Sequence, residues 1–328
     1  MTPVVIPLSE ASEWNNKDLG THIELRYLIR SIIRHVPDPH IIVVGHRPEW
    51  LRTGAFTQQG ITSNIQCTHL PAKDDHFIAD TNMIRKISLA ARHLQSIGHK
   101  KGFLRCSDDQ LFLKDYRTPT VYHRGFVSDY ITKKLHAAKV SHEAAMKGGS
   151  APAPPADPNL PTVPVELTNY ERRLFNVAAH YDEIHQGVFT LNTDMAHVPI
   201  WILSPENWLK TMDETQELWD VDNDGIGVTL NTLYVAHNMK EIANSVNIKP
   251  ATEPIDSFKR EVIRPVFTSF ILASGTELSR DVNTLHRLRG WADKSKFLCY
   301  NSGGINDRSG WLARYITTRF ATKSILED

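Results

Sequence analysis

His40-Ile41-Ile42-Val43-Val44-Gly45 is an unbroken apolar run closed by a glycine. A strand with one face in water alternates apolar and polar residues. A continuous run marks a strand covered on both faces, the usual state of a parallel strand. The residues before it set its context. From Glu24, the residues Leu25, Leu28, Ile29, Ile32 and Ile33 recur at helical spacing with Arg26, Arg30 and Arg34 between them, and this amphipathic helix stops near Pro37. Ahead of the helix, Val4-Val5-Ile6-Pro7-Leu8 is a second short β-branched run. Strand, helix, strand is the opening of an α/β sandwich.

The same alternation continues downstream. Ile65-Gln66-Cys67-Thr68-His69-Leu70 supplies a third strand, and the polar segment Lys73-Asp74-Asp75-His76 leads into a helix predicted over 82–97 with Ile84, Ile87, Ala91 and Leu94 on its apolar stripe. Phe103-Leu104-Arg105 is the next strand, and each unit has the length expected of a doubly wound domain. Residues 148–164, GGSAPAPPADPNLPTVP, are dense in Pro, Ala and Gly and read as an exposed flexible loop inserted in one catalytic unit, with an interdomain linker as the alternative. The expected organisation is therefore an α/β part over 1–147, the loop over 148–164, and a more helical part of the same domain over 165–328. In that second part, helices are predicted over 170–180, 205–215 and 254–273, the last broken at Pro265. Short strands are predicted over 199–203 and 296–300, the latter followed by a Gly/Asn loop and a terminal helix. No internal repeat is visible.

At 328 residues the chain can bury a substantial core. Its 37 basic and 37 acidic residues cancel, which argues against broad nonspecific binding to nucleic acid or anionic membrane while leaving room for a local basic groove. No stretch approaches a spanning helix, and the start MTPVVIPLSEASEW lacks a basic region followed by a long apolar one, so the expectation is a cytoplasmic protein with no transmembrane segment. Cys67, Cys106 and Cys299 are widely separated with no CxxC spacing and read as buried reduced thiols.

The chemistry concentrates after the fourth predicted strand, in Ser107-Asp108-Asp109-Gln110-Leu111-Phe112-Leu113. Two adjacent carboxylates close one apolar run and precede another. In a parallel sheet that is the strand end where ligands bind, and carboxylates there can hold a divalent cation that grips a diphosphate. Adjacent strand residues point to opposite faces, so both acids serve one ion only if the chain turns at this point. A solvated turn is the plain alternative. Arg85 and Lys86, on the helix after Asn82, suit phosphate neutralisation or equally a solvated helix face. The Asn15-Asn16-Lys17-Asp18 loop also follows a strand. Neither GxGxxG nor GxxxxGK[ST] occurs, which disfavours a dinucleotide fingerprint and a Walker loop.

Asp194 and His197 form a further acid–imidazole pair, suited to metal ligation or proton transfer but equally to structural hydrogen bonding. Arg124, His142 and His237 are weaker candidates. Asp220 to Gly225 has the look of a calcium loop, yet its twelfth position is Asn231 rather than an acid, so a polar turn is expected. The run from Gly303 to Gly310 suits anion binding through backbone donors or a plain surface loop.

Several of these pieces together resemble one family. Asn15-Asn16-Lys17-Asp18, the stretch from Glu24 to Ile32, and Ile41 to Leu51 resemble the opening of Stealth-type sugar-phosphate transferases and of related nucleotide-sugar glycosyltransferases with a GT-A fold. Ser107-Asp108-Asp109 resembles the Asn-Asp-Asp segment of that group, and Thr193 to Pro199 resembles its later Asp-x-His-x-Pro-like segment with one extra residue between acid and histidine. Phe297 to Tyr300 and Phe320 to Ser324 resemble its closing portion. The likeness is good over 1–115 and patchy beyond.

The resemblance implies a GT-A-like, Rossmann-type α/β/α sandwich with a mixed sheet. It implies a nucleotide diphosphate sugar, often a UDP-sugar, held by Mn²⁺ or Mg²⁺. Asp109 would be the principal metal ligand, with Asp108 assisting or contacting the ribose. Asn15, Lys17, Asn82, Arg85 and Lys86 would face the nucleotide. Asp194 and His197 would bracket the acceptor or complete the metal shell. On chemical grounds apart from the resemblance, an inverting reaction would need a base, for which Asp194 is the first choice, whereas a retaining one would need none. Ser107 replaces the family's leading Asn or Asp. The expected activity is transfer of the sugar to a hydroxyl of a polymeric acceptor, a glycan or a modified phage DNA base. A DNA acceptor would need a phosphate-tracking groove, for which Lys133, Lys134, His136, Lys139 and Lys147 are the available cations. The alternatives are transfer of the sugar with its phosphate, and a non-catalytic carbohydrate- or nucleic-acid-binding module.

Overall fold

The structure, a computed structural model, describes residues 1–10, 21–57, 64–132, 167–184, 190–194, 197–221, 227–251, 263–265, 270–272, 293, 295–300 and 311–328. Among them the strands are β1 (Thr2–Leu8), β2 (Pro39–Gly45), β3 (Gly54–Thr57), β4 (Asn64–Leu70), β5 (Phe103–Arg105), β6 (Gln110–Phe112), β7 (Thr120–His123), β8 (Ile200–Ile202), β9 (Asn247–Pro250), β10 (Ile263–Pro265), β11 (Phe270–Leu272) and β12 (Phe297–Tyr300). The helices are α1 (Ile23–His35), α2 (Ala79–Ser96), α3 (Asn169–Ile184), α4 (Pro205–Glu214), α5 (Gln216–Trp219), α6 (Leu230–His237), α7 (Met239–Ser245) and α8 (Trp311–Arg319).

A six-stranded sheet in the order β3-β4-β2-β1-β5-β8 forms the centre. The inner strands β4, β2, β1 and β5 are mutually parallel, and the edge strands β3 and β8 run antiparallel to them. Chain order moves from β1 through β2 to β4 on one side and then returns to place β5 on the other side of β1. The sheet therefore reverses direction between β1 and β5. Ligands of open α/β sheets bind at the carboxyl ends of the strands at such a reversal.

The apolar runs cover both faces as expected. Val4, Ile6, Ile41, Val43 and Leu104 pack with Leu25, Leu28, Ile29 and Ile32 of α1, whereas Val5, Ile42, Val44 and Phe103 pack with Ile84, Ile87 and Leu94 of α2 and with Trp208 and Tyr234. This is a mixed α/β fold with a central sheet between helical layers. β8 comes from the second half of the chain yet completes the main sheet, and β12 pairs with β6, so the two halves share strands.

Helix α1 also holds the segment after Asp109. Ser31 Oγ donates to its own helix at Leu28 O (2.7 Å) and accepts the Phe112 N–H at 3.0 Å.

The helix expected over 254–273 is a correction. Ile263–Pro265 and Phe270–Leu272 are strands paired antiparallel, and the remainder of that span lies outside the described residues. β-Branched and aromatic residues favour strands, and proline, which lacks a ladder donor, is tolerated because β10 is an edge strand. Also outside the described residues lie the 148–164 loop, the 15–18 loop, the lysine-rich stretch over 133–147 with His142, residues 222–225 and the glycine run over 303–310. Among the described residues no helix is long and apolar enough to cross a membrane.

Candidate functional site at the carboxyl end of the sheet

The site begins where the parallel strands stop. β1 ends at Leu8 and β2 at Gly45, which are register partners, and β5 ends at Arg105, register partner of Val5. Gly45 has a φ of 117°, and a Cβ there would lie 2.1 Å from Leu8 O. Only glycine lets the chain turn this close to its neighbour. Lys86, from α2, fills the space beside it: its buried Nζ donates to Leu8 O at 2.8 Å and pairs with Asp74 Oδ1. Asn82, one turn earlier, is tied to the loop before α2, accepting the His76 N–H at 3.0 Å and donating to His76 O at 2.7 Å. Arg85 points elsewhere on the helix and is paired with Asp75 at 3.0 Å and Asp220 at 2.9 Å.

Cys106 N–H still donates to Val5 O, and Gln110 N–H already closes a turn onto Ser107 O, so Asp108 and Asp109 ride the turn that joins β5 to β6. The turn resolves the opposite-face difficulty that an extended strand would pose. Asp109 keeps some surface, yet protein surrounds its carboxyl: burial, then the charge of Asp108, push it up to about 7. The Cys299 thiol donates to Asp109 Oδ2 at 3.3 Å, and burial and the neighbouring acids raise that thiol well above its ordinary value.

The register of β5 with β8 brings the later pair to the same end. Arg105 faces Ile200 across an antiparallel pairing, so residues following β5 and residues preceding β8 leave the sheet together. Asp194 lies there with both oxygens engaged by the start of α6: Oδ1 accepts the Asn231 N–H at 3.1 Å and Oδ2 the Thr232 N–H at 2.6 Å. A carboxylate at a helix N-terminus satisfies donors that have no partner within the helix and complements its dipole. His197 is exposed, has a φ of 49°, and donates its backbone N–H to Asp194 O at 3.1 Å. Asn15 and Lys17 lie outside the described residues.

A second polar group, unmarked by any motif, sits beside the first. Asp80 in the first turn of α2 pairs with Arg173 of α3 at 2.8 Å, and burial followed by the charge of Asp194 raises its carboxyl above the ordinary value. The Tyr170 hydroxyl is buried without a hydrogen-bond partner among the described residues and feels the charges of Asp194 and Asp80. Arg105, at the end of β5, acts electrostatically on both Asp80 and Asp109. Its only sequence signal is a charge closing an apolar run.

Among the described residues no group of three or more His, Cys, Asp or Glu side chains is placed to hold a metal ion. What the turn offers is a pair of adjacent carboxylates, of which Asp109 is pushed up by burial and by its neighbour's charge. Such a donor set fits a hard cation that takes only one or two protein carboxylates and completes its shell with water and substrate phosphate. No protein-family model matches the chain, and no curated protein is significantly similar to it.

Proposed function

We propose that the chain is a metal-dependent glycosyltransferase of GT-A type, moving a sugar from a nucleotide diphosphate sugar, a UDP-sugar first, to a hydroxyl of a polymeric acceptor. The observation that supports this reading is the position of Asp108 and Asp109. They occupy a turn directly after β5, at the reversal point of a parallel sheet. Asp109 is the principal ligand for Mn²⁺ or Mg²⁺, with Asp108 beside it. The ion, when bound, offsets negative charge on the departing nucleotide diphosphate.

The remaining work falls to the chain's own groups. Lys86 holds the mouth of the site closed between β1 and β2 through Leu8 O and Asp74, so its role is to shape the site. Arg85 is paired with Asp75 and Asp220. Asp194 is the acceptor-side base if the product is inverted. Its two bonds to α6 fix its direction and leave each oxygen a further lone pair for the acceptor hydroxyl. His197, exposed beside it, lines the acceptor entrance.

Calorimetric titration of UDP into the protein with Mn²⁺, with EDTA, and into Asp109→Asn tests the reading. Metal-dependent binding abolished by the substitution is the expected result. Absence of heat with UDP, GDP, CDP and dTDP alike overturns it.

A further inference from the structure

Arg105 is 5% exposed, and its guanidinium makes one hydrogen bond among the described residues, from Nη2 to the Met83 thioether at 3.1 Å. Its Nε is buried and has no partner among them. No carboxylate of the described residues stands within ion-pair distance of it, although its charge reaches Asp80 and Asp109. A guanidinium carries five N–H donors and cannot shed its proton, and a thioether is a weak acceptor. Burying such a group without a counter-ion is costly unless something outside the chain completes it.

Its place in the sheet says what that something is. Arg105 is the last residue of β5 at the point where the strand order reverses, three residues before Asp108. The cations that sequence reading offered for this job, Arg85 and Lys86, are both already held by carboxylates. We infer that Arg105 is an anion-binding residue whose unpaired guanidinium edge takes non-bridging phosphate oxygens of a diphosphate. The planar fork of arginine matches phosphate oxygens in pairs, which a lysine point charge does not. That this diphosphate belongs to the nucleotide donor rests on the donor-site reading above; that the site takes a diphosphate does not.

The test is titration of inorganic pyrophosphate, with Mn²⁺ present, into the full chain and into Arg105→Met and Arg105→Lys, with thermal midpoints measured on all three. The expected result is pyrophosphate binding by the parent, weakened at least about tenfold in Arg105→Met and to a lesser degree in Arg105→Lys. The midpoint separates a ligand-binding arginine from a structural one. Replacing an unpaired buried charge by an apolar side chain of similar length leaves the midpoint unchanged or raises it. Arg105→Met that binds pyrophosphate as tightly as the parent overturns the inference, as does a parent that does not bind it. A thermal midpoint that falls in Arg105→Met, with Arg105→Lys folded and unimpaired in binding, assigns the residue to structure and also overturns it. UDP separates the two readings. A parent that binds pyrophosphate through Arg105 but not UDP keeps this site and loses the donor. UDP binding that needs Asp109 and survives Arg105→Met does the reverse.

Discussion

Arg30 holds Glu327 with two nitrogens at once, Nε to Oε1 and Nη2 to Oε2, both at 2.7 Å. Arg26 adds a third bond to the same carboxylate at 2.9 Å, and Ser324 N–H a fourth at 2.9 Å. The side chain of Glu327 is fully shielded from solvent. Burial pushes this acid up, but the hydrogen bonds from Arg30 and Ser324 and the neighbouring positive charge outweigh it and hold it below its usual value. The last residues of the chain are thereby fastened to α1 and, through Arg52 N–H on Leu326 O and Asp328 N–H on Trp50 O, to the loop after β2. Glu327→Ala strands two arginines without their counter-ion and is expected to cost about 3–5 kcal/mol, read by urea denaturation. A cost below about 1 kcal/mol would show that the tail is not part of the cooperative fold.

Gly45 gives a second stability prediction, made from backbone geometry alone. Alanine there combines a positive φ with a Cβ that overlaps Leu8 O and crowds the Lys86 ammonium. The expected loss is about 3 kcal/mol, from backbone strain and overpacking together. Gly98, also at positive φ but with open space where a Cβ would point, is the control. Gly98→Ala should lose far less, and equal losses at both positions would refute the steric account.

The pH dependence turns on His40. Its ring is buried, shares a 2.9 Å contact with Thr68 Oγ1, and is pushed down to about 4 by burial first and by His93 and His99 next. The unfolded chain binds this proton near pH 6.5 and the folded chain does not, so protonation favours unfolding. The neutral ring's contribution is complete above about pH 6.5 and is lost progressively as pH falls to about 4, below which the folded state takes the proton too. Stability curves of the parent and His40→Gln should converge across that window. Parallel curves would assign the acid sensitivity to other groups.

All three cysteines should resist modification in the native protein. Each is buried and free, and burial is the largest cause that raises every one of them, Cys67 to about 12, with Cys106 and Cys299 also pushed well above the ordinary thiol value. The thiolate is the reactive species, so a chromogenic disulfide reagent at pH 8 is expected to titrate none before denaturant is added and all three after. Fast reaction at Cys299 in the folded state would contradict its enclosure beside Asp109.

The parts of the fold that could be read from sequence are those with a strong local pattern. β1, α1 and β2 were legible because runs such as Ile41 to Val44 are covered on both faces and α1 keeps a clean apolar stripe. The strand-end position of Asp108 and Asp109 followed from the same alternation. Helix α6 had no such signal. Every residue from Leu230 to Ala236 is buried, so polar Asn231 and Thr232 are enclosed with the apolar ones and no amphipathic period survives. The bonding of Asp194 depends on a helix 37 residues later in the chain. The isolation of Arg105 depends on which carboxylates the fold gives to Arg85 and Lys86 instead, which no local window contains.

Asp194 yields the prediction that separates its two roles. As the carboxylate that caps α6 it contributes to stability, and its replacement by alanine frees the Asn231 and Thr232 N–H groups at the helix start. Loss of a cap of this kind costs about 1–2 kcal/mol. Asp194→Asn keeps one acceptor oxygen and should lose less than half of that. Neither change touches Asp109, so metal-dependent UDP binding is expected to persist in both. Transfer to an acceptor is a different matter, since an amide cannot take a proton from a hydroxyl. If Asp194 is the base, Asp194→Asn lowers the transfer rate by about 100-fold or more while leaving donor affinity and the thermal midpoint close to the parent. A folded Asp194→Asn with an undiminished transfer rate would confine the residue to holding α6.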